Sequence, residues 1–172
     1  VLVSGPTAEP DPPGVRVVHV DSARAMLAAF EKALPADVAV CAAAVADWRA
    51  EAAPQKLKKR KDGPPVLKLV ENPDILASLS KPGNRRPRLV IGFAAETEKV
   101  VEHAREKRAR KGCDWILAND VSPASGTFGG DANTIHLLDE AGVEDWPPLP
   151  KAAVAERLAQ RIVRFFERKA AE

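Results

Sequence analysis

The chain has 172 residues, the size of one ordinary domain, with 26 basic and 24 acidic side chains and a net charge of +2. That length can bury a substantial core, and the near-neutral balance speaks against a general nucleic-acid binder, which needs a large basic excess or a long basic face. No apolar run is long enough to span a bilayer and no secretory signal is visible. Two cysteines make no disulfide framework, so a cytoplasmic setting is expected.

The chain opens directly on a strand, Val1–Val3, without an initiator Met, as an interior fragment would. A second strand is expected at Val15–Val20. Asp21-Ser22 caps a helix through Leu34, with Met26, Leu27, Phe30 and Leu34 at helical spacing. Val38–Ala44 reads as the third strand. Lys56–Leu69 then breaks the alternation, its KLK and VLKL segments flanking Asp62-Gly63 as in a hairpin excursion. Asn72-Pro73-Asp74 predicts a helix start, with Asn72 as N-cap, Pro73 at the first position and Asp74 in the first turn. Arg88–Ala94 is the fourth strand, Glu98–Lys111 a helix stopped by Gly112, and Trp115–Ala118 the fifth strand. Thr134–Leu138 is expected to pair antiparallel at the sheet edge. Lys151–Arg168 carries Val154, Leu158, Ile162, Phe165 and Phe166 on one stripe. This alternation predicts an α/β fold: a three-layer, Rossmann-like, mostly parallel sheet with helices on both faces and a β-hairpin or lid excursion. Ligands bind such sheets beyond the carboxyl ends of the strands.

The loops after the strands hold the unusual residues. In CAAAVADWR, residues 41–49, the small side chains at 42–44 let a backbone or planar ring approach closely. Asp47 stands where the strand ends, as a ligand contact or a turn cap. In VIGFAAETE, residues 90–98, Gly92 permits close packing, Phe93 is either core or ligand-facing, and Thr97 is a candidate N-cap. Asn119-Asp120 is ordinary turn chemistry. Asn72 through Ile75 would present free N–H groups that attract phosphate or carboxylate, and Asp74 could alternatively hold a metal. Lys107 and Lys111 lie four apart on one helix face, where like charges repel. Either their stems cover apolar surface or an anion lies between them. His19, His103 and His136 show no metal-ligand spacing, and neither CxxC nor HExxH occurs.

The segment PQKLKKRKDGPP, Pro54 to Pro65, gathers Lys56, Lys58, Lys59, Arg60 and Lys61 between prolines. It can be a nucleic-acid patch, a solvated hairpin or a mobile grip on a polyphosphate.

In order along the chain, CAAAVADWR, P-x-K-x-K-K (54–59), ENPDIL, GFAAET, K-x-x-x-K-G-x-D (107–114), ANDVS and FGGDANTIHLL resemble bacterial phosphopantothenoylcysteine synthetases. Those enzymes form the carboxy-terminal half of a bifunctional coenzyme A biosynthesis flavoprotein. The resemblance implies a phosphopantothenate–cysteine ligase that joins 4′-phosphopantothenate to cysteine with CTP and Mg²⁺ through an acyl-cytidylate. By the same resemblance, Cys41, Ala42 and Ala43 line the nucleotide and Asp47 contacts it. Lys56 opens a flexible lid and is catalytic. Asn72, Pro73, Asp74, Ile75, Phe93, Lys107 and Lys111 occupy further CTP-binding positions; the metal ligands stay unassigned. A homodimer is implied, without nucleic-acid or membrane partners. VRVVHVDSARAM follows SGPTAEPDPPGVR (4–16) where the family's first phosphate loop would lead to an SSGK helix start. Val1 therefore aligns with the family's second strand. Residues 1–172 read as a ligase domain lacking its first strand, that strand's anion-binding loop and its Asn, as well as the FMN-dependent decarboxylase domain. A nicotinamide-dependent Rossmann oxidoreductase is the alternative, although no G-x-G-x-x-G opens a helix.

Overall fold

Leu89–Glu96, LVIGFAAE, is an almost unbroken apolar run, and such runs form strands covered on both faces. In the computed structural model, which describes residues 1–53, 55, 58, 63, 66–122 and 132–171, this segment is an interior strand of the main sheet, paired on both sides. The elements in chain order are β1 (Leu2–Ser4), β2 (Val17–His19), α1 (Ala23–Ala33), β3 (Val38–Cys41), β4 (Trp48–Ala50), β5 (Leu69–Glu71) and α2 (Ile75–Ser80). They continue with β6 (Leu89–Glu96), α3 (Val100–Lys111), β7 (Trp115–Asp120), β8 (Ala132–Asn133), β9 (Ile135–Leu138), β10 (Val143–Asp145), β11 (Leu149–Pro150) and α4 (Lys151–Ala171).

The main sheet runs β10-β9-β7-β6-β3. β3, β6 and β7 are parallel, with Cys41 opposite Gly92 and Gly92 opposite Ile116. β9 joins antiparallel, as expected of Thr134–Leu138, but the edge itself is β10, which pairs beyond it. β1 and β2 form a separate parallel pair, and β4 and β5 a separate antiparallel ribbon. That ribbon flanks the hairpin expected at Lys56–Leu69, most of which, with Lys56 and the turn residue Asp62, lies outside the described residues.

Alternation along the strands divides the core in two. Val90, Ala94, Ile116 and Ala118 face α1, α2 and α3, packing with Met26, Ile75, Leu79 and Ala104. Leu89, Ile91, Trp115, Leu117, Ile135 and Leu137 face the stripe of α4, whose Val154 and Leu158 are buried. The Trp115 and Phe165 rings meet edge to face at 5.5 Å. At about 25 cal/mol per Å² of apolar surface, these two layers supply most of the driving force.

Of three helix starts, one follows the sequence reading and two depart from it. Ser22 caps α1 as expected, its hydroxyl accepting from the Ala25 N–H at 3.3 Å. The cap of α2 is Asp74, not Asn72, with Oδ1 accepting from the Ala77 N–H at 2.9 Å. Asn72 is instead drawn into ties with the 46–49 segment, which leaves Pro73 outside the helix. Thr97 does not cap α3; Lys99 precedes it in the left-handed region, φ 46°, and no side chain caps the turn. Gly112 ends α3 as expected, at φ 69°, its N–H donating to the Arg108 carbonyl.

Candidate functional site

β3 ends at Cys41, and the chain then runs through Ala42–Asp47 before the ribbon begins at Trp48. With no side chain beyond Cβ at 42–44 to fill it, a cleft of about 790 Å³ opens beside this loop. Its walls come from several elements. Cys41, Ala42, Ala43 and Asp47 line one side, Asn72, Pro73, Asp74 and Ile75 a second, and Phe93 borders it from within β6. Lys107 and Lys111 of α3 complete it. The structure thus brings together eleven of the sequence-derived site residues in one cavity; the twelfth, Lys56, lies outside the described residues.

A helix of a parallel sheet ends away from its own strand's carboxyl edge, so the two lysines need a neighbouring segment to reach the cleft. That segment is the start of α2: Lys111 Nζ donates to Asp74 Oδ2. Burial opposes charge on the Asp74 carboxyl, but the Lys111 ammonium and the Ala77 N–H outweigh it and hold the carboxyl below its ordinary value. Lys107 makes no hydrogen bond or ion pair among the described residues.

Gly92 sets how closely α2 approaches the sheet. A Cβ there would lie 2.5 Å from Leu76 Cδ2 and 2.9 Å from Ile116 Cδ1, both inside contact distance. Ile75 and Leu76 therefore reach the cleft wall because position 92 has no side chain. Phe93 serves both readings: it packs against the α4-side core and also lines the cleft.

Both thiols are suppressed as nucleophiles. Burial, helped by the Cys113 and Asp74 charges, pushes the Cys41 thiol up to about 11; burial likewise lifts Cys113 to about 11. Asp47 is exposed, and its carboxylate has no partner among the described residues. Each histidine faces one carboxylate: His19 with Asp11, His103 with Glu96, His136 with Asp145. Among the described residues no group of three or more His, Cys, Asp or Glu side chains could hold a metal ion.

Sequence reasoning missed the apolar wall made by Val3, Met26 and Phe30, and it missed Arg49. The helical spacing of Met26 and Phe30 signalled burial but not which cavity they border. Arg49 was visible inside CAAAVADWR, two positions after Asp47, with nothing local to show its partners.

Residues 1–166 match the family described as DNA/pantothenate metabolism flavoprotein C-terminal domain. The chain is 41% identical over 172 residues to the coenzyme A biosynthesis bifunctional protein CoaBC of Escherichia coli (strain K12), covering 98% of itself and 42% of that protein. With the CoaBC of Mycobacterium tuberculosis (strain ATCC 25618 / H37Rv) it shares 42% identity over 176 residues, 95% of the chain and 42% of the relative. It therefore spans less than half the length of the curated relatives it matches. Its structure superposes on the crystal structure of the C-terminal domain of CoaBC with a TM-score of 0.76, at 34% identity, covering 96% of this chain and 74% of that one. The DNA/pantothenate metabolism flavoprotein from Streptococcus pneumoniae shares the fold, with a TM-score of 0.75 at 19% identity, over 95% of this chain and 80% of that one. No helix of the described residues is long and apolar enough to cross a membrane. From a mostly parallel sheet built around GFAAET, a cleft walled by CAAAVAD and NPDI, and a family match over nearly the whole length, it follows that the chain belongs to the DNA/pantothenate metabolism flavoprotein C-terminal domain family.

Proposed function

We propose that residues 1–172 are a phosphopantothenate–cysteine ligase domain of coenzyme A biosynthesis, acting on 4′-phosphopantothenate, cysteine and CTP. The observation that carries this reading is one cavity bordered by Cys41–Ala43, Asp47, Asn72–Ile75, Phe93, Lys107 and Lys111. In this reading the cleft holds CTP: backbone at 41–43 and 72–75 borders the nucleotide, and the small side chains leave room for a flat base. Lys107 and Lys111 stand by the phosphates. The substrate carboxylate attacks the α-phosphorus, pyrophosphate leaves, and the acyl-cytidylate is taken by the cysteine amine with release of CMP. Cations at the developing charge and exclusion of water are what such a step needs from a protein. Lys56 is assigned to that task on a lid spanning Pro54–Pro65, whose stem is the β4–β5 ribbon.

Magnesium is the counter-ion of such triphosphates and neutralises their charge. The described residues offer it no dedicated cluster, so no step is assigned to it. FMN belongs, in this reading, to a separate decarboxylase domain. Homodimerisation and a cytoplasmic location are part of the same proposal.

The test is calorimetric titration of CTP and NAD into the full-length protein, followed by Lys56→Gln against Lys61→Gln in an assay of acyl-cytidylate and product. CTP binding, with kcat falling roughly a hundredfold for Lys56→Gln alone, is expected. Binding of NAD without CTP would replace this reading with a nicotinamide oxidoreductase; equal mild losses in the two variants would reduce the loop to a solvated hairpin.

A further inference from the structure

We infer that Arg49 is a positioning residue of the cleft, holding its two loop walls together through Asn72. This inference rests on the proposed nucleotide site. Arg49 lies in β4 and does not border the cleft. Its guanidinium donates from one nitrogen to the Glu71 carbonyl and, at 3.3 Å, to the Asn72 side-chain oxygen. Those bonds fix which way the Asn72 amide faces. Its nitrogen end then donates to the Ala46 carbonyl at 2.9 Å, while the Asn72 backbone N–H donates to the Asp47 carbonyl at 2.8 Å.

The result is a closed ring of contacts from β4 to Glu71-Asn72 to the 46–47 turn. Ala46, Asp47, Glu71, Asn72 and Asp74 all border the cleft. Asn72 thus has its side-chain oxygen, its side-chain nitrogen and its backbone N–H in use within the protein. What it can still offer a ligand is chiefly the position of the backbone around it, and Arg49 maintains that position. Arginine suits the task because the two N–H groups on that one nitrogen are held in the guanidinium plane, each aimed at its acceptor, whereas a lysine ammonium rotates freely as a point charge. The same ring joins the foot of the β4–β5 ribbon to the cleft.

Arg49→Ala, Arg49→Lys, Asn72→Ala and the Arg49→Ala/Asn72→Ala double variant in the full-length protein test this. Without any ligand, Arg49→Ala should speed hydrogen exchange of the Asn72 amide; unchanged exchange would overturn the inference. With CTP, Arg49→Ala should weaken binding about tenfold, with the loss in KM more than in kcat. Arg49→Lys should recover part of that loss. The double variant should be no weaker than the poorer single variant, because both act through one contact ring. Losses that multiply in the double variant would show that Arg49 acts by another route and sink the inference. If the unmutated protein binds no CTP while the Asn72 amide still responds to Arg49→Ala, the proposed function fails and the positioning role stands.

Discussion

Lys111, in the last turn of α3, donates to the carboxylate of Asp74, the residue that caps α2. One carboxylate therefore holds two helices, its second oxygen accepting from Ala77. Because the Asp74 carboxyl is held below its ordinary value of 3.8, the pair's contribution to stability is fully present above that value and lost as pH falls through the lowered one. The difference in unfolding free energy between the wild type and Asp74→Asn should be largest near neutrality and shrink below pH 3.8. Urea unfolding across an acid series measures it; a constant difference would mean that the carboxylate charge contributes nothing.

The same contact separates the two cleft lysines. Lys111 already has an anionic partner and Lys107 has none among the described residues. Lys107→Ala should leave Tm unchanged and weaken CTP by roughly ten- to a hundredfold, a charge-assisted contact being worth roughly 1.5–3 kcal/mol. Lys111→Ala should lower both Tm and affinity. A thermal scan beside a calorimetric titration of each variant distinguishes them.

Gly92→Ala should destabilise the protein by about 1–3 kcal/mol through overpacking against Leu76 and Ile116. The ends of those side chains can move, but they lie within the core layer between β6, β7 and α2. Shortening one neighbour, in Gly92→Ala/Leu76→Val, should return part of the loss in a denaturant titration. An additive double variant would contradict the packing argument.

Cys41 and Cys113 should resist alkylation near pH 7.5, reacting about a hundredfold more slowly than an ordinary thiol, since the thiolate is the nucleophile and both groups titrate at about 11. Cys41 borders the cleft, so rapid labelling there would mean that the loop after β3 opens in solution.

Much of this architecture was legible because its signals are local. The apolar run at 89–94, the stripe of α4 and the stop at Gly112 each follow from nearest neighbours in sequence. The error at Asn72 arose where a distant partner decides. Asn72 looks like an N-cap until the strand pairing of β4 with β5 brings Arg49 and Ala46 within reach of its amide; Asp74 then takes the cap. Thr97 lost its expected role because the chain turns through a left-handed Lys99 before α3 begins. β10 escaped notice because three residues with one apolar side chain carry almost no periodicity. The site residues were chosen by order and resemblance, and the cleft joins positions as far apart as Cys41 and Lys111. The apolar wall from Met26 and Phe30 could not be read the same way, since a buried face looks alike whether it meets a core or a cavity.

The division of the core between three helices on one face and a single helix on the other has a consequence for how the chain is made. α4 follows every strand of the sheet in sequence, so a ribosome delivers Leu89, Ile91, Trp115, Leu117, Ile135 and Leu137 before the side chains that cover them. Until Val154 and Leu158 emerge, that face of a half-built sheet is bare and adhesive, a natural target for chaperones. Folding yield at the end of synthesis, more than the equilibrium stability of the finished protein, is where damage to α4 would first be felt.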